Sequence, residues 1–437
     1  MNDFLERVKL WECSDDKRRN MLKRSGTDVA RVMGKVQDII SRVREEGDFA
    51  LLEFTQEFDG VQLTPTRLRV KEEEISKAYD SLDEEDVDVI RKSFESVRRY
   101  HEEQMPEKWM EEFQEGVKAG QVVRPLESVG CYVPGGTAQY PSSVIMSVTP
   151  AKVSGVDRVI VCTPPTPEGD VNPATLVACD IAGADDIYKV GGAQAIAAMA
   201  YGTEIISEVQ KIVGPGNIYV AAAKKAVSLD VEIDFMAGPS EVLILADSSA
   251  DPRFVAIDLI SQAEHDSASA AVLVTDAPSL ADDVERRISE ILEDLPRGET
   301  ARKSLDKYGK IILTRDMEEA VDFANDYSPE HLQIMTEDPE IRLKEVKNAS
   351  AIFLGYYSPT SVGDFAVGPS HILPTGGEAR RNDGLSVYDF IRMPSVQELT
   401  REGLRNISDV VTRISMMEGL SAHAYSVNER LEGKDDN

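Results

Sequence analysis

Apolar residues along the first hundred positions recur at helical spacing. Val29, Val32, Met33, Val36, Ile39, Ile40 and Val43 share one face, and Gly47 stands where such a helix stops. Val87, Ile90, Phe94 and Val97 define a second helical face, with His101 following among Arg and Glu as part of a solvated surface. The text stays helical to about Trp109. From about residue 120 it changes to short apolar runs separated by helical patterns. The runs are 156–162, 186–190, 242–246, 271–275, 311–314 and 331–335. Asn172-Pro173 has the signature of an N-cap followed by a first-turn proline, and Asp251-Pro252 opens a helix running through His265. Strands alternating with helices predict parallel sheets covered on both faces, an α/β fold. The glycine-rich zones at 130–143 and 236–240 are placed to mark crossings between two lobes, and from about residue 395 the chain returns to polar helical text, as an exposed tail or a segment that packs on a partner.

Composition narrows the function classes. The formal charge of −30, from 78 acidic against 48 basic residues, excludes general affinity for nucleic acid or anionic membrane surfaces, because like charge repels phosphate. Acidic runs such as Lys71-Glu72-Glu73-Glu74 and Asp83-Glu84-Glu85-Asp86 have the character of solvated helix faces. The four cysteines, Cys13, Cys131, Cys162 and Cys179, show neither C-x-x-C spacing nor the density of a disulfide scaffold. Without a basic-then-apolar leader or a membrane-length apolar run, a cytoplasmic chain is the expectation.

Candidate chemistry concentrates near the histidines. Glu330 and His331 are neighbours just after Pro329 ends a helical pattern; residues adjacent on an extended segment point apart, so the pair can act together only if the backbone bends there. Apart from His101, the other histidines (His265, His371 and His423) lie in short stretches rich in Gly, Pro or acidic residues. Gln262 and His265, three apart near a helix end, can reach one point. Together with Asp364 and His423 they form a mixed nitrogen and oxygen donor set of the kind that suits zinc; a polar helix end is the plainer alternative. The loops Val133-Pro134-Gly135-Gly136, Gly191-Gly192-Ala193-Gln194 and Gly214-Pro215-Gly216-Asn217 can each offer backbone N–H groups to a phosphate, or be tight turns that need glycine for their dihedrals. Cys131 has no basic neighbour in sequence and fits a buried structural thiol better than a nucleophile.

These segments, with Gly130-Cys131-Tyr132, Gly238-Pro239-Ser240-Glu241-Val242, Gln262-Ala263-Glu264-His265, Pro329-Glu330-His331-Leu332, Gly363-Asp364, His371-Ile372-Leu373-Pro374-Thr375 and Glu418-Gly419-Leu420-Ser421-Ala422-His423, closely resemble the histidinol dehydrogenase family. The resemblance implies oxidation of L-histidinol through histidinal to L-histidine, the last step of histidine biosynthesis, with two NAD and one zinc ion. It implies zinc on Gln262, His265, Asp364 and His423, and substrate contacts from these ligands with Ser240, His331, Glu418 and His371. Tyr132, Gln194 and Asn217 would bind NAD, and Glu330 and His331 would be the acid–base pair. The implied architecture has a helical part over 1–124, Rossmann-like domains over 125–236 and 237–385, and a tail over 386–437 completing the partner's site in a homodimer. The chemistry suits these residue types: imidazole titrates in the right range to take a hydroxyl proton, and a neighbouring carboxylate can activate water for the aldehyde step. From the residues alone, a zinc hydrolase using Glu330 and an α/β ligand-binding protein remain the competing readings.

Overall fold

The computed structural model describes residues 5–22, 29–135, 139–235 and 238–432. Gly136 of the first glycine loop and Met236 of the second glycine zone lie outside them. The chain forms two compact units, one comprising Met1–Glu103 with Glu127–Phe390, the other Gln104–Leu126 with Ile391–Asn437.

The first unit holds two parallel sheets. One has five strands in the spatial order Asp186–Lys189, Arg158–Thr163, Ser128–Tyr132, Lys211–Val213 and Glu232–Ile233. The chain starts in the middle, steps outward, then returns to the other side, so its direction of winding reverses between Ser128–Tyr132 and Lys211–Val213. In open α/β sheets the crevice at such a reversal, outside the carboxyl ends of the strands, is the usual ligand site. Tyr132 ends one of these strands, and Gly214-Pro215-Gly216-Asn217 follows the other.

The second sheet has six strands, all parallel, in the order Glu6–Lys9, Lys310–Leu313, Ala270–Thr275, Glu241–Ala246, His331–Met335 and Ala351–Leu354. Its central strands read as continuous apolar runs over 242–246, 270–274 and 311–313 because both faces are covered. Along Glu241–Ala246, Val242, Ile244 and Ala246 enter a core shared with the helices Pro252–Ala263 and Pro278–Leu292, whereas Leu243 and Leu245 enter one shared with Met317–Tyr327. Winding reverses here too, between Glu241–Ala246 and His331–Met335.

The capping signals hold. Asn172 accepts from the Ala174 N–H and Asp251 from the Arg253 N–H, and Gly47, at φ 57°, terminates the helix Met33–Glu46. Three expectations need correction. The N-terminal region is not wholly helical: Glu6–Lys9 is an edge strand of the second sheet, and only Val8 of its four residues is buried. His101 is not solvated but fully buried, its Nδ1 2.8 Å from the Val97 carbonyl oxygen, because it continues the face of Ile90 and Val97 along the helix Glu84–Gln104. Glu74 is not a free surface charge, since it pairs with the buried Lys189.

In the second unit, Trp109–Gln114, Val117–Gln121 and Ser395–Leu399 form an antiparallel sheet with Val117–Gln121 in the middle. The helices Arg401–Met417 and Ser421–Glu432 follow. The former presents exposed Val410, Ile414, Met416 and Met417, more apolar surface than a solvated tail needs.

Candidate active site

The bend required at Glu330-His331 is present. Ser328, which caps the helix Met317–Tyr327, has φ 52° and is the only non-glycine residue with positive φ among the described residues. Pro329 follows, so the chain turns sharply into the strand His331–Met335. Arg380 Nε donates to Ser328 Oγ at 2.8 Å and helps hold this strained corner.

The turn brings Glu330 and His331 onto one neighbour, Glu241. The Glu241 N–H donates to Glu330 Oε2 at 2.7 Å, and the Glu330 N–H donates to Glu241 Oε1 at 3.2 Å. His331 Nδ1 lies 3.0 Å from the Glu241 carbonyl oxygen and 3.4 Å from Glu330 Oε2. With Nδ1 committed as a donor on this side, Nε2 is the free nitrogen, and it faces Asp364 Oδ1 at 4.0 Å. All three residues, Glu241, Glu330 and His331, are buried. Burial pushes the His331 pKa down, but Glu330 and Asp364 together outweigh it and raise the group to about 9.

Asp364 sits in the short helix Thr360–Phe365, and its carbonyl oxygen is 2.9 Å from His371 Nδ1. Burial drives the His371 pKa down against the pull of Asp364. Thus Glu330, His331, Asp364 and His371 are gathered at one place, at the amino ends of the central strands rather than the carboxyl ends where the fold class usually places its chemistry. Ser240 is half-buried directly before Glu241.

Gln262 is buried in the last turn of Pro252–Ala263, and His265 is exposed two residues beyond it. Glu418 and His423 belong to the second unit, where both are exposed. Among the described residues no group of three or more His, Cys, Asp or Glu side chains is arranged to hold a metal ion. The expected zinc set includes an amide and a histidine of the other unit, so the first unit contributes only His265 and Asp364 of those types. Its carbonyl oxygen, imidazole and carboxylate donors nevertheless match the preferences of zinc.

Tyr132, Gln194 and Asn217 line one cavity of about 350 Å³, together with Gly135 and Gly192, at the winding reversal of the first sheet. All three glycine loops therefore converge. The Gly192 N–H donates to Tyr132 Oη at 3.1 Å, and burial pushes the Tyr132 phenol up to about 12. Asn217 caps the helix Ile218–Val227. Gln194 is buried, and its Oε1 has no hydrogen-bond partner. An unsatisfied buried polar atom is costly, and a polar ligand in the cavity would supply its partner. The cavity therefore fits part of a dinucleotide. Cys131, fully buried with its thiol pushed up to about 12 by burial, has no nucleophilic character.

Beneath the acid–base pair, Gln333 Nε2 donates to Asp258 Oδ2 at 2.8 Å. Burial raises the Asp258 carboxyl to about 6, with Gln333 opposing. The folded chain thus binds this proton more tightly than the unfolded chain, whose carboxyl titrates near ~3.9. The resulting stabilisation is complete below about pH 4 and is lost as pH rises through about 6, at most ~3 kcal/mol for two pKa units. Asp258→Asn keeps an acceptor for Gln333 and removes this loss. The variant is expected to melt above the wild type at pH 7.5 and not at pH 4; the same difference at both pH values would exclude the carboxyl as its source.

The chain is similar to known proteins over nearly its whole length. A family model described as histidinol dehydrogenase matches residues 22–431. The histidinol dehydrogenase of Methanothermobacter thermautotrophicus is 52% identical over 411 residues, covering 94% of this chain and 96% of that protein. The Bacillus licheniformis histidinol dehydrogenase is 47% identical over 417 residues, covering 95% and 97%. The crystal structure of histidinol dehydrogenase from Elizabethkingia anophelis superposes with a TM-score of 0.94 at 36% identity, covering 98% of both chains.

Proposed function

The chain belongs to the histidinol dehydrogenase family, an NAD-dependent class of oxidoreductase, and on that premise we propose that it oxidises L-histidinol to L-histidine through histidinal, with two NAD and one zinc ion. The observation that carries this reading is the His331 imidazole, held by Glu330 and the Glu241 carbonyl on one side with Nε2 free on the other.

Gln262, His265 and Asp364 would hold zinc, with His423 as fourth ligand, and zinc there supplies fixed positioning of the substrate's imidazole and amine. NAD in the cavity at Tyr132, Gln194 and Asn217 supplies the hydride acceptor for each half-reaction. The remaining work falls to the protein. His331 Nε2 takes the hydroxyl proton in the alcohol oxidation. It must first shed the proton that Glu330 and Asp364 favour, so alkaline conditions assist it. Glu330, beside it, orients and deprotonates the water that adds to the aldehyde. Ser240, directly before Glu241, and His371, beside Asp364, would contact the substrate. The exposed apolar side chains of Arg401–Met417 support a homodimer in which the tail brings Glu418 and His423 to the partner's site.

Zinc-loaded protein mixed with L-histidinol and excess NAD is expected to form two NADH per histidinol, followed by absorbance at 340 nm. Absence of NADH would overturn the dehydrogenase reading in favour of a hydrolase or a binding protein. One NADH per histidinol, with aldehyde accumulating, would overturn the second oxidation.

A further inference from the structure

The cavity at Tyr132, Gln194 and Asn217 has a second wall that does not come from the parallel sheet. Lys35, Phe58 and Asp59, from the helical N-terminal segment, line it as well. Asp59 lies at the end of the π-helical turn Thr55–Asp59, just before Gly60, whose left-handed φ of 73° ends the helix. Asp59 Oδ2 is buried and has no hydrogen-bond partner, as is Gln194 Oε1 in the same cavity. Two residues that line one cavity and each leave a buried acceptor unsatisfied carry a standing cost, which hydroxyl donors on a ligand reaching that wall would reduce. The rest of the wall has a matching chemistry. Lys35 Nζ lies 4.9 Å from the centre of the Phe58 ring and 5.8 Å from that of Tyr219, so a cation sits between two aromatic faces at the mouth. Phe58 and Tyr219 are 41% and 36% exposed, leaving ring surface for a flat base. At about 350 Å³ the cavity is at the small end of ligand pockets (~300–1,000 Å³) and suits one nucleoside half rather than a whole dinucleotide.

We propose that Asp59 is a cofactor-specificity residue, its carboxylate accepting hydrogen bonds from the 2′,3′-diol of the adenosine ribose of NAD and thereby excluding NADP. This rests on the proposed NAD role of the cavity. A carboxylate at a ribose diol favours two neutral O–H donors and repels a 2′-phosphate. The acid here comes from the N-terminal helical segment instead of the end of a sheet strand. Burial raises the Asp59 carboxyl to about 6, consistent with an acceptor awaiting a donor.

The test is calorimetric titration of the zinc-loaded, full-length protein with NAD, ADP-ribose and NADP, in the wild type, Asp59→Asn and Gln194→Ala. Asp59→Asn keeps the shape and removes the charge, so it is expected to fold; Asp59→Ser, checked by circular dichroism, is the second variant. The expected result is that Asp59→Asn weakens NAD and ADP-ribose about tenfold while NADP weakens less, so that discrimination against NADP falls about tenfold. Asp59→Asn and Asp59→Ser binding all three ligands as the wild type does, while Gln194→Ala weakens them, would overturn the Asp59 role and leave the NAD reading standing. An equal loss for NAD and NADP would overturn the exclusion of the 2′-phosphate. A wild type that binds neither NAD nor ADP-ribose would overturn both readings together.

Discussion

Replacing His331 by alanine is expected to lower turnover about 10²–10⁴-fold, the range that positioned acid–base catalysis contributes. On a rate scale where 1.36 kcal/mol is tenfold, that corresponds to about 3–5 kcal/mol of lost transition-state stabilisation. The geometry argues that the loss falls on kcat. His331 Nδ1 faces backbone and carboxylate oxygens of the protein itself, and only Nε2 is available to a reacting group. The substrate would keep its other contacts through Ser240, Gln262, His265 and Asp364. The fold around the site is expected to survive, because the Glu330 carboxylate retains the Glu241 N–H and the Glu241 carboxylate retains the Glu330 N–H. Steady-state kinetics with L-histidinol, together with titration of L-histidinol into the NAD-free protein, separates the contributions. Turnover within about fivefold of the wild type would remove His331 from proton transfer. Unchanged kcat with a raised KM would make it a binding residue instead.

Much of the second sheet was legible from the chain because both its faces are covered: 242–246, 271–274 and 311–313 are apolar at every position, and an uninterrupted run cannot be mistaken for a solvated strand. Caps were equally local, as at Asn172-Pro173 and Asp251-Pro252. The elements that escaped are those whose identity is decided by distant partners. Glu6–Lys9 is charged at three of its four positions and becomes a strand only by pairing with Lys310–Leu313 at the sheet edge. His101 lies among charged neighbours, and its burial follows only when the Ile90–Val97 face is extended one more turn. At the candidate site, Glu330-His331 stood out as a pair, but the residue that orients both is Glu241, 89 residues earlier. Its one local signal was an acid opening an otherwise apolar strand. Asp59 gave none, since the cavity that it shares with Gln194 exists only once the N-terminal segment packs against the first sheet.

Lys224→Met is expected to cost about 3–5 kcal/mol of stability, the usual penalty for leaving one member of a buried ion pair alone. Lys224 and Asp234 form such a pair, with side chains 3% and 1% exposed. Both also grip the backbone of Gly214: the Gly214 N–H donates to Asp234 Oδ2 at 2.8 Å, and Lys224 Nζ donates to the Gly214 carbonyl at 3.0 Å. Gly214 needs that grip, because it runs at φ 118° so close to the next strand that a Cβ would stand 2.1 Å from the Tyr132 carbonyl oxygen. Burial pushes the Asp234 carboxyl upward against the attraction of Lys224, so removing Lys224 leaves a carboxylate with no charge partner in a site where desolvation already opposes its ionisation. The loop pinned by this pair carries Asn217 to the cavity, so NAD affinity should fall along with stability. Urea denaturation measures the first effect and NAD titration the second. Adding Asp234→Leu to Lys224→Met removes the stranded carboxylate and should restore part of the stability, though not all, since the Gly214 N–H then loses its acceptor. A loss below about 1 kcal/mol in the single variant, or a double variant less stable than the single one, would show that the pair does not hold the loop.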